Sequence, residues 1–256
     1  MYDLPEVRHA TDALWRRMVQ HLKREGISNV SQQLVHDRHL NDLWSDKNLL
    51  FSQCCGYDIV HRYRNRLQVL GTPWFDAPGC CKGNYASIVV VPEDSSYENV
   101  IDMLGSEVVI NGPESHSGMN ALFALVEPHS RDGKFFSEVI ISGSHAESLA
   151  TVRQGHADVA AVDCVTYELL SRYRPAVIDG TRALGWTYDA PAPPYVTCAN
   201  IDVETVSHMQ NALVATFNDP SLSDTLEMLL INKVEVSSTE TYQYIVNNFS
   251  HELRAV

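Results

Sequence analysis

Serine, glycine, histidine and aspartate recur in three short runs, each following a strand-like apolar stretch. The runs are Asn111–Met119 (NGPESHSGM) after Glu107–Ile110, Ser142–His145 (SGSH) after Glu138–Ile141, and Asp163 at the end of Asp158–Val162. In the first, small residues let the backbone approach a ligand, Ser115 and Ser117 carry hydroxyl donors, and the first-turn N–H groups of a following helix favour negative charge. With Gly118 and Met119 they make a cradle for a small oxyanion. A Gly112-Pro113 turn followed by Ser115 or Ser117 as a plain helix N-cap explains the same residues without a ligand, and both readings stand at this point. In the second run, Ser144 and Glu147 have capping-box spacing, and the helix N-terminus biases His145 toward a neutral imidazole that still donates one hydrogen bond. Asp163 supplies a carboxylate that pairs with a ligand ammonium or accepts from a protonated oxyanion; equally, it caps the helix that begins at Cys164.

Nearer the N-terminus, Ser52–Tyr57 repeats the design of a strand followed by a small turn, with Gln53 offering an amide donor and Tyr57 an aromatic wall. Tyr2, Tyr85 and Tyr195 lie near expected strand ends, where a tyrosine either closes over a ligand or packs half-buried. A Cys or Ser nucleophile activated by His116 or His145 is the enzymatic alternative, but neither G-x-S-x-G nor a cysteine-protease signature supplies the third, orienting member. Six cysteines form two vicinal pairs, Cys54-Cys55 and Cys80-Cys81, plus Cys164 and Cys198, without the C-x-x-C spacing of a zinc site; no metal or cofactor is expected. A Cys55–Cys80 bridge forms if strands bring the two within reach, and otherwise both are buried thiols.

These runs need elements to hold them. Leu4, Val7, Leu14, Met18 and Leu22 step by threes and fours, which predicts a first helix opened by an Asp3/Glu6 capping box and stopped at Gly26. A short helix follows around Leu40–Trp44, then buried strands at Asn48–Phe51, Leu67–Leu70 and Ser87–Val91. From Pro92 to about Gly180 strand and helix alternate, the pattern of a parallel sheet covered on both faces, whose ligands sit outside the carboxyl ends of the strands. The Pro-rich bend Pro191–Pro194 lies between strand-like Arg182–Trp186 and Tyr195–Cys198 and reads as a crossing back to the first lobe; helices follow at Val203–Phe217, Leu222–Leu230 and near Thr239–Phe249.

A net charge of −13 offers no basic face, which argues against nucleic acid and anionic membrane surfaces but not against a small anion held by local dipoles. With 45% hydrophobic residues over 256 positions the chain can bury a core, yet no apolar run is long enough to span a bilayer. Met1–Glu6 lacks the basic and apolar regions of a signal peptide.

Five segments in order, MYDLPE at Met1–Glu6, SQCCGY at Ser52–Tyr57, GTPWFDAPGC with YAS between Gly71 and Ser87, NGPESHSG at Asn111–Gly118, and GSH with SLATVRQGHADVAAVD from Gly143 to Asp163, cover roughly positions 1–200. Through them the chain resembles the phosphate/phosphite/phosphonate-binding family of ABC-importer solute receptors, of the phosphonate-binding type. The resemblance implies an α/β, two-lobed type II periplasmic-binding fold, each lobe a mostly parallel sheet flanked by helices and joined by two hinge crossings. It implies lobe 1 at 1–91 plus 193–256 and lobe 2 at 92–192, and a small phosphorus oxyanion in the cleft. It assigns the oxyanion to Ser115, Ser117 and Gly118, with Met119 in the same loop, and to Ser144, His145 and Asp163. First-lobe tyrosines map onto Tyr2, Tyr57 or Tyr85, and Gln53 closes from the same lobe. A monomer that presents its ligand to an ABC-transporter permease from the periplasm is the implied context. The run ahead of the first helix is shorter than the strand the resemblance implies and lacks the export signal it implies, which fits either a cut or misassigned start or a cytoplasmic ligand sensor of the same fold.

Overall fold

The computed structural model describes residues 1–249. The chain divides into two compact units, one built from Met1–Asp76 with Pro191–Gln243, the other from Ala77–Ala190 with the described residues from Tyr244. The chain therefore passes between units at residues 76/77, 190/191 and 243/244, against the expected boundaries at 91/92 and 192/193 and two crossings. Strand Ser87–Pro92 accounts for the first difference. It pairs with Val159–Asp163 on one side and Thr181–Trp186 on the other, so its ladder lies wholly in the second unit. The expected lobe 1 runs on to 256, and its last stretch, 250–256, lies outside the described residues.

In the first unit a 3-10 turn, Pro5–Val7, leads into helix Arg8–Arg24. Its buried face is Ala10, Trp15, Met18, Val19 and Leu22. Gly26 ends it at φ +89, a left-handed conformation that glycine adopts without penalty, with Ile27 N–H returning to the Leu22 carbonyl at 2.9 Å. The expected Asp3/Glu6 capping box does not form. Leu4 precedes the first turn, and Asp3 accepts instead from His36 Nδ1 at 2.7 Å. Helix Val203–Phe217, whose buried residues include Met209, Ala212, Leu213 and Phe217, packs on this one, and Thr216 Oγ1 approaches Met18 Sδ at 3.4 Å.

The sheet of this unit has the order Ser52–Gln53, Tyr195–Cys198, Leu67–Phe75, Ile231–Val236, and every neighbouring pair is antiparallel. The expectation of a mostly parallel sheet is corrected here. Two of its strands come from the C-terminal part of the chain and interleave with two N-terminal strands that run the other way. Ile231–Val236 (INKVEV) was not expected as a strand. Only Ile231 and Val234 are buried in it, three residues apart, which imitates a helical step and hides the two-residue alternation of a strand. The expected strand Asn48–Phe51 is irregular: its Leu49 carbonyl accepts from Cys198 N–H at 3.0 Å, but the regular ladder is confined to Ser52–Gln53. Beside it lies a cavity of about 440 Å³, with Trp15, Met18, Phe51, Phe75 and Tyr195 among its lining.

The second unit is built on a five-stranded sheet in the order Glu138–Ile141, Glu107–Ile110, Val159–Asp163, Ser87–Pro92, Thr181–Trp186. Glu107–Ile110 runs parallel to both its neighbours, while Ser87–Pro92 is antiparallel to both of its own. The parallel rhythm expected from Pro92 onward thus holds for three strands, and the sheet is mixed. Val89, Val91, Val108, Ile110, Val159 and Ala161 form its core with Leu122 and Met119 from the following helical run. Since three neighbouring strands point the same way, the residues that follow them leave from one edge of the sheet.

Candidate functional site

The three serine-, histidine- and aspartate-bearing runs all leave that edge. After Ile110 the chain turns so that Ser115 N–H donates to the Gly112 carbonyl at 3.1 Å. Ser115 is the N-cap of the next helical turn: its Oγ accepts from Gly118 N–H at 3.0 Å. Of the two readings the cap is realised, and a serine that accepts from Gly118 retains its own hydroxyl hydrogen. The five residues His116–Asn120 form a π-helical turn before regular helix Ala121–Val126. Single π-helical turns are rare overall and frequent at functional sites. Asn120 Nδ2 donates to the Ser115 carbonyl at 3.0 Å and fixes the turn.

Ser117 is buried, and its Oγ lies 3.1 Å from Nε2 of His145. This contact joins the first run to the second. His145 is the first residue of helix His145–Arg153, whose cap is Ser144 Oγ accepting from Glu147 N–H at 3.2 Å. Ser142 ties the same run to the first strand, its N–H donating to the Ile110 carbonyl at 2.9 Å. Gly118 allows the close fit. A methyl group in place of its hydrogen would stand 1.8 Å from Asn111 Oδ1 and 3.3 Å from His145 Cε1, so no larger residue fits without moving Asn111.

Asp163 ends the third strand almost fully buried, and its Oδ1 accepts from Thr166 N–H at 2.8 Å as the cap of helix Cys164–Tyr173. Its capping role is realised. Tyr85, also buried, stands on the short hairpin formed by Cys80–Cys81 and Asn84–Tyr85, with its ring centroid 6.2 Å from that of His116. Met119, assigned to the ligand through its loop, instead packs in the core with Ile110 and Leu122. A π turn of five residues rotates it inward.

Both histidines are held neutral. Burial pushes His116 down to about 3 and His145 down to about 4, the latter offset in part by the Ala161 carbonyl. His145 as a residue is half-buried, but its Nδ1 is fully enclosed and makes no hydrogen bond of normal geometry. The neutral state expected from the helix dipole is thus enforced chiefly by desolvation. Ser117 and His145 have the spacing of a nucleophile and its base. An imidazole of such low basicity without a carboxylate on Nδ1 is nevertheless poorly equipped to take a proton at neutral pH.

Two amides escaped notice in the sequence. Asn111 Oδ1 and Asn120 Oδ1 are buried without a hydrogen-bond partner, and the amide of Asn111 lies against Gly118 beside the Ser117–His145 contact. Which end of an amide faces outward is an assignment from neighbours, so a bound acceptor would recruit the Asn111 NH₂ group as a donor. Asn111 was readable as the first residue after the strand.

Gln53, Tyr57 and Tyr2 belong to the first unit and have partners there. Gln53 Nε2 donates to the Pro193 carbonyl at 2.9 Å, the Tyr57 ring lies 4.1 Å from that of His61, and Tyr2 meets Phe75 edge-on at 5.0 Å. Among the described residues no cluster of three or more His, Cys, Asp or Glu side chains is placed to hold a metal ion, and no helix is long and apolar enough to cross a membrane.

A family model described as "ABC transporter, phosphonate, periplasmic substrate-binding protein" matches residues 11–242. No curated protein matches the chain in sequence. Among solved structures, the chain is similar to PhnD1 from Prochlorococcus marinus in complex with methylphosphonate, with a TM-score of 0.72 at 14% identity over 94% of this chain and 92% of that one. A binding protein component of an ABC phosphonate transporter from Pseudomonas aeruginosa has a TM-score of 0.71 at 16% identity, over 92% of this chain and 80% of its own. A Xanthomonas citri protein bound to ATP has a TM-score of 0.69 at 13% identity over 96% of each chain. The fold is the two-lobed α/β fold of type II periplasmic binding proteins.

Proposed function

We propose that this chain, which belongs to the phosphonate periplasmic substrate-binding family of ABC transporters, captures a small phosphorus oxyanion on the loops of its second unit and presents it to an importer permease. The observation that carries the proposal is the meeting of Ser117 Oγ and His145 Nε2, 3.1 Å apart, at the ends of two adjacent parallel strands. A hydroxyl oriented by a neutral imidazole on a separate rigid element suits an anion's oxygen, since it offers a hydrogen without demanding a proton in return. When His145 carries its hydrogen on Nε2 it donates to Ser117, and the Ser117 hydrogen is then directed to the ligand. Ser115, which keeps its hydroxyl hydrogen while capping Gly118, and Asn111 supply further donors. Ser144 lies at the adjoining helix start, and Asp163 accepts from a protonated oxyanion or a ligand amine.

Phosphonate, phosphate and phosphite share the tetrahedral oxyanion that such donors recognise. Methylphosphonate in PhnD1 and the phosphates of ATP in the Xanthomonas citri protein carry the same chemistry. Capture requires only a preorganised site and no covalent step. Calorimetry and thermal shift with methylphosphonate, phosphate, phosphite and sulfate test the proposal. At least one phosphorus oxyanion is expected to bind and raise the melting temperature. Failure of all four, with binding of an uncharged metabolite, overturns the oxyanion assignment.

A further inference from the structure

Cys80 and Cys164 are 84 positions apart in sequence, yet their sulfurs lie 3.3 Å apart. The approach is imposed by backbone on both sides. Cys164 N–H donates to the Ala86 carbonyl at 3.2 Å, Ala86 N–H donates to the Gly79 carbonyl at 3.0 Å, and Cys80 N–H donates to the Ala77 carbonyl at 3.0 Å. Cys80 is paired with Tyr85 in the hairpin ladder, and Asp163, just before Cys164, is in register with Ser87. The hairpin and the start of helix Cys164–Tyr173 are thus held together by main chain, leaving only a small sulfur movement to the roughly 2.05 Å of a covalent bridge.

We infer that Cys80 and Cys164 are a disulfide-forming pair, a covalent strap between the hairpin that carries Tyr85 and the strand end that carries Asp163. The oxidant required is a disulfide, of the glutathione or dithiol-oxidoreductase class, which proteins of a periplasmic family meet. Cys80 is the partly exposed member and Cys164 the buried one. The hydrogen bond to Cys80 and burial keep Cys164 protonated in the reduced state, so the first attack falls to the more accessible Cys80. Its thiolate attacks one sulfur of oxidised glutathione, forming a mixed disulfide and expelling one glutathione thiolate. Cys164 then loses its proton to solvent and attacks the Cys80 sulfur; the Cys80–glutathione bond breaks, and the second glutathione thiolate leaves. The two cysteines are oxidised by two electrons and one molecule of oxidised glutathione is reduced to two thiols.

The test is peptide mapping of the folded, full chain after incubation with oxidised glutathione, with free thiols alkylated in denaturant and no reduction before digestion. The expected result is a cross-linked peptide pair joining Cys80 to Cys164, with Cys81 alkylated, and a melting temperature higher than that of the reduced protein by roughly 5–10 °C. Cys81→Ser should retain the cross-link, and Cys164→Ser should lose both the cross-link and the shift. Alkylation of both Cys80 and Cys164 after oxidation, or bridging of Cys80 to any other cysteine, overturns the inference. The map is made on unaltered protein, so it decides the matter even where a variant fails to fold.

Discussion

The two units treat their polar residues at strand ends in opposite ways. In the first, Gln53 is bonded to the Pro193 carbonyl, Asp3 to His36, and Tyr2 and Tyr57 pack against rings of the same unit. In the second, Ser117 meets His145 with one hydroxyl hydrogen to direct, and the Asn111 and Asn120 side chains bury amide oxygens without a hydrogen-bond partner. Buried polar atoms without partners are costly, and those at the ends of parallel strands are what the proposed ligand would satisfy. On the proposed reading, recognition chemistry is concentrated in the second unit, while similar residue types in the first hold their own loops.

The sharpest way to break this contrast is charge. Ser117→Asp places a carboxylate beside the bound anion and should weaken methylphosphonate or phosphate binding by about 1000-fold or more, roughly 4 kcal/mol, with the far-UV spectrum unchanged. Calorimetric affinity within tenfold of the parent removes this loop from the site.

Acid should separate the units next. His116 and His145 titrate near 3 and 4 when folded, below the ordinary 6.5, so the unfolded chain binds more protons as pH falls from 6.5. Stability from keeping them neutral is complete above that value and is lost progressively below it, on the order of 3 kcal/mol for each histidine by pH 4. In the first unit the effects oppose each other. Burial lowers His61; burial also acts on His36, but its hydrogen bonds to Asp3 and Asp12 raise it overall, so His36 stabilises below its ordinary value and loses that contribution as pH rises through the raised one. Hydrogen exchange followed from pH 7 to 4 should show protection falling first in the second unit; uniform loss contradicts the assignment.

Gly118→Ala should follow, because the new methyl group must displace the Asn111 amide. A loss of about 2 kcal/mol in stability and of tenfold or more in oxyanion affinity is expected from thermal melts and calorimetry. The smallest effect is reserved for Gln53→Ala, which removes the bond to the Pro193 carbonyl. It should cost about 1 kcal/mol of stability and leave affinity within about threefold; a tenfold loss of affinity would bring the first unit into recognition and blur the contrast.

Much of the second unit was legible residue by residue. Glu107–Ile110, Glu138–Ile141 and the apolar run ending at Val162 are short and bounded by turn residues, and Ser144 and Asp163 stand where helix caps must stand. The strand-end rule then placed all three runs on one edge, which the parallel pairings realise. Less of the first unit was readable. Its strands interleave from distant parts of the chain, Ile231–Val236 shows helix-like spacing of its buried residues, and Asp3 and Glu6 match a capping box that the His36 contact displaces.

By itself the sequence determined local matters: where helices start and stop, which stretches are apolar enough to be strands, and which loops carry hydroxyls, imidazole and carboxylate. These depend on neighbours a few residues away. Tertiary structure alone decided the rest. It paired Ser117 with His145 and Cys80 with Cys164, turned Met119 into the core, left Asn111 unsatisfied and bonded Gln53 away, because contacts between residues tens of positions apart follow from strand order and register, which no local pattern encodes.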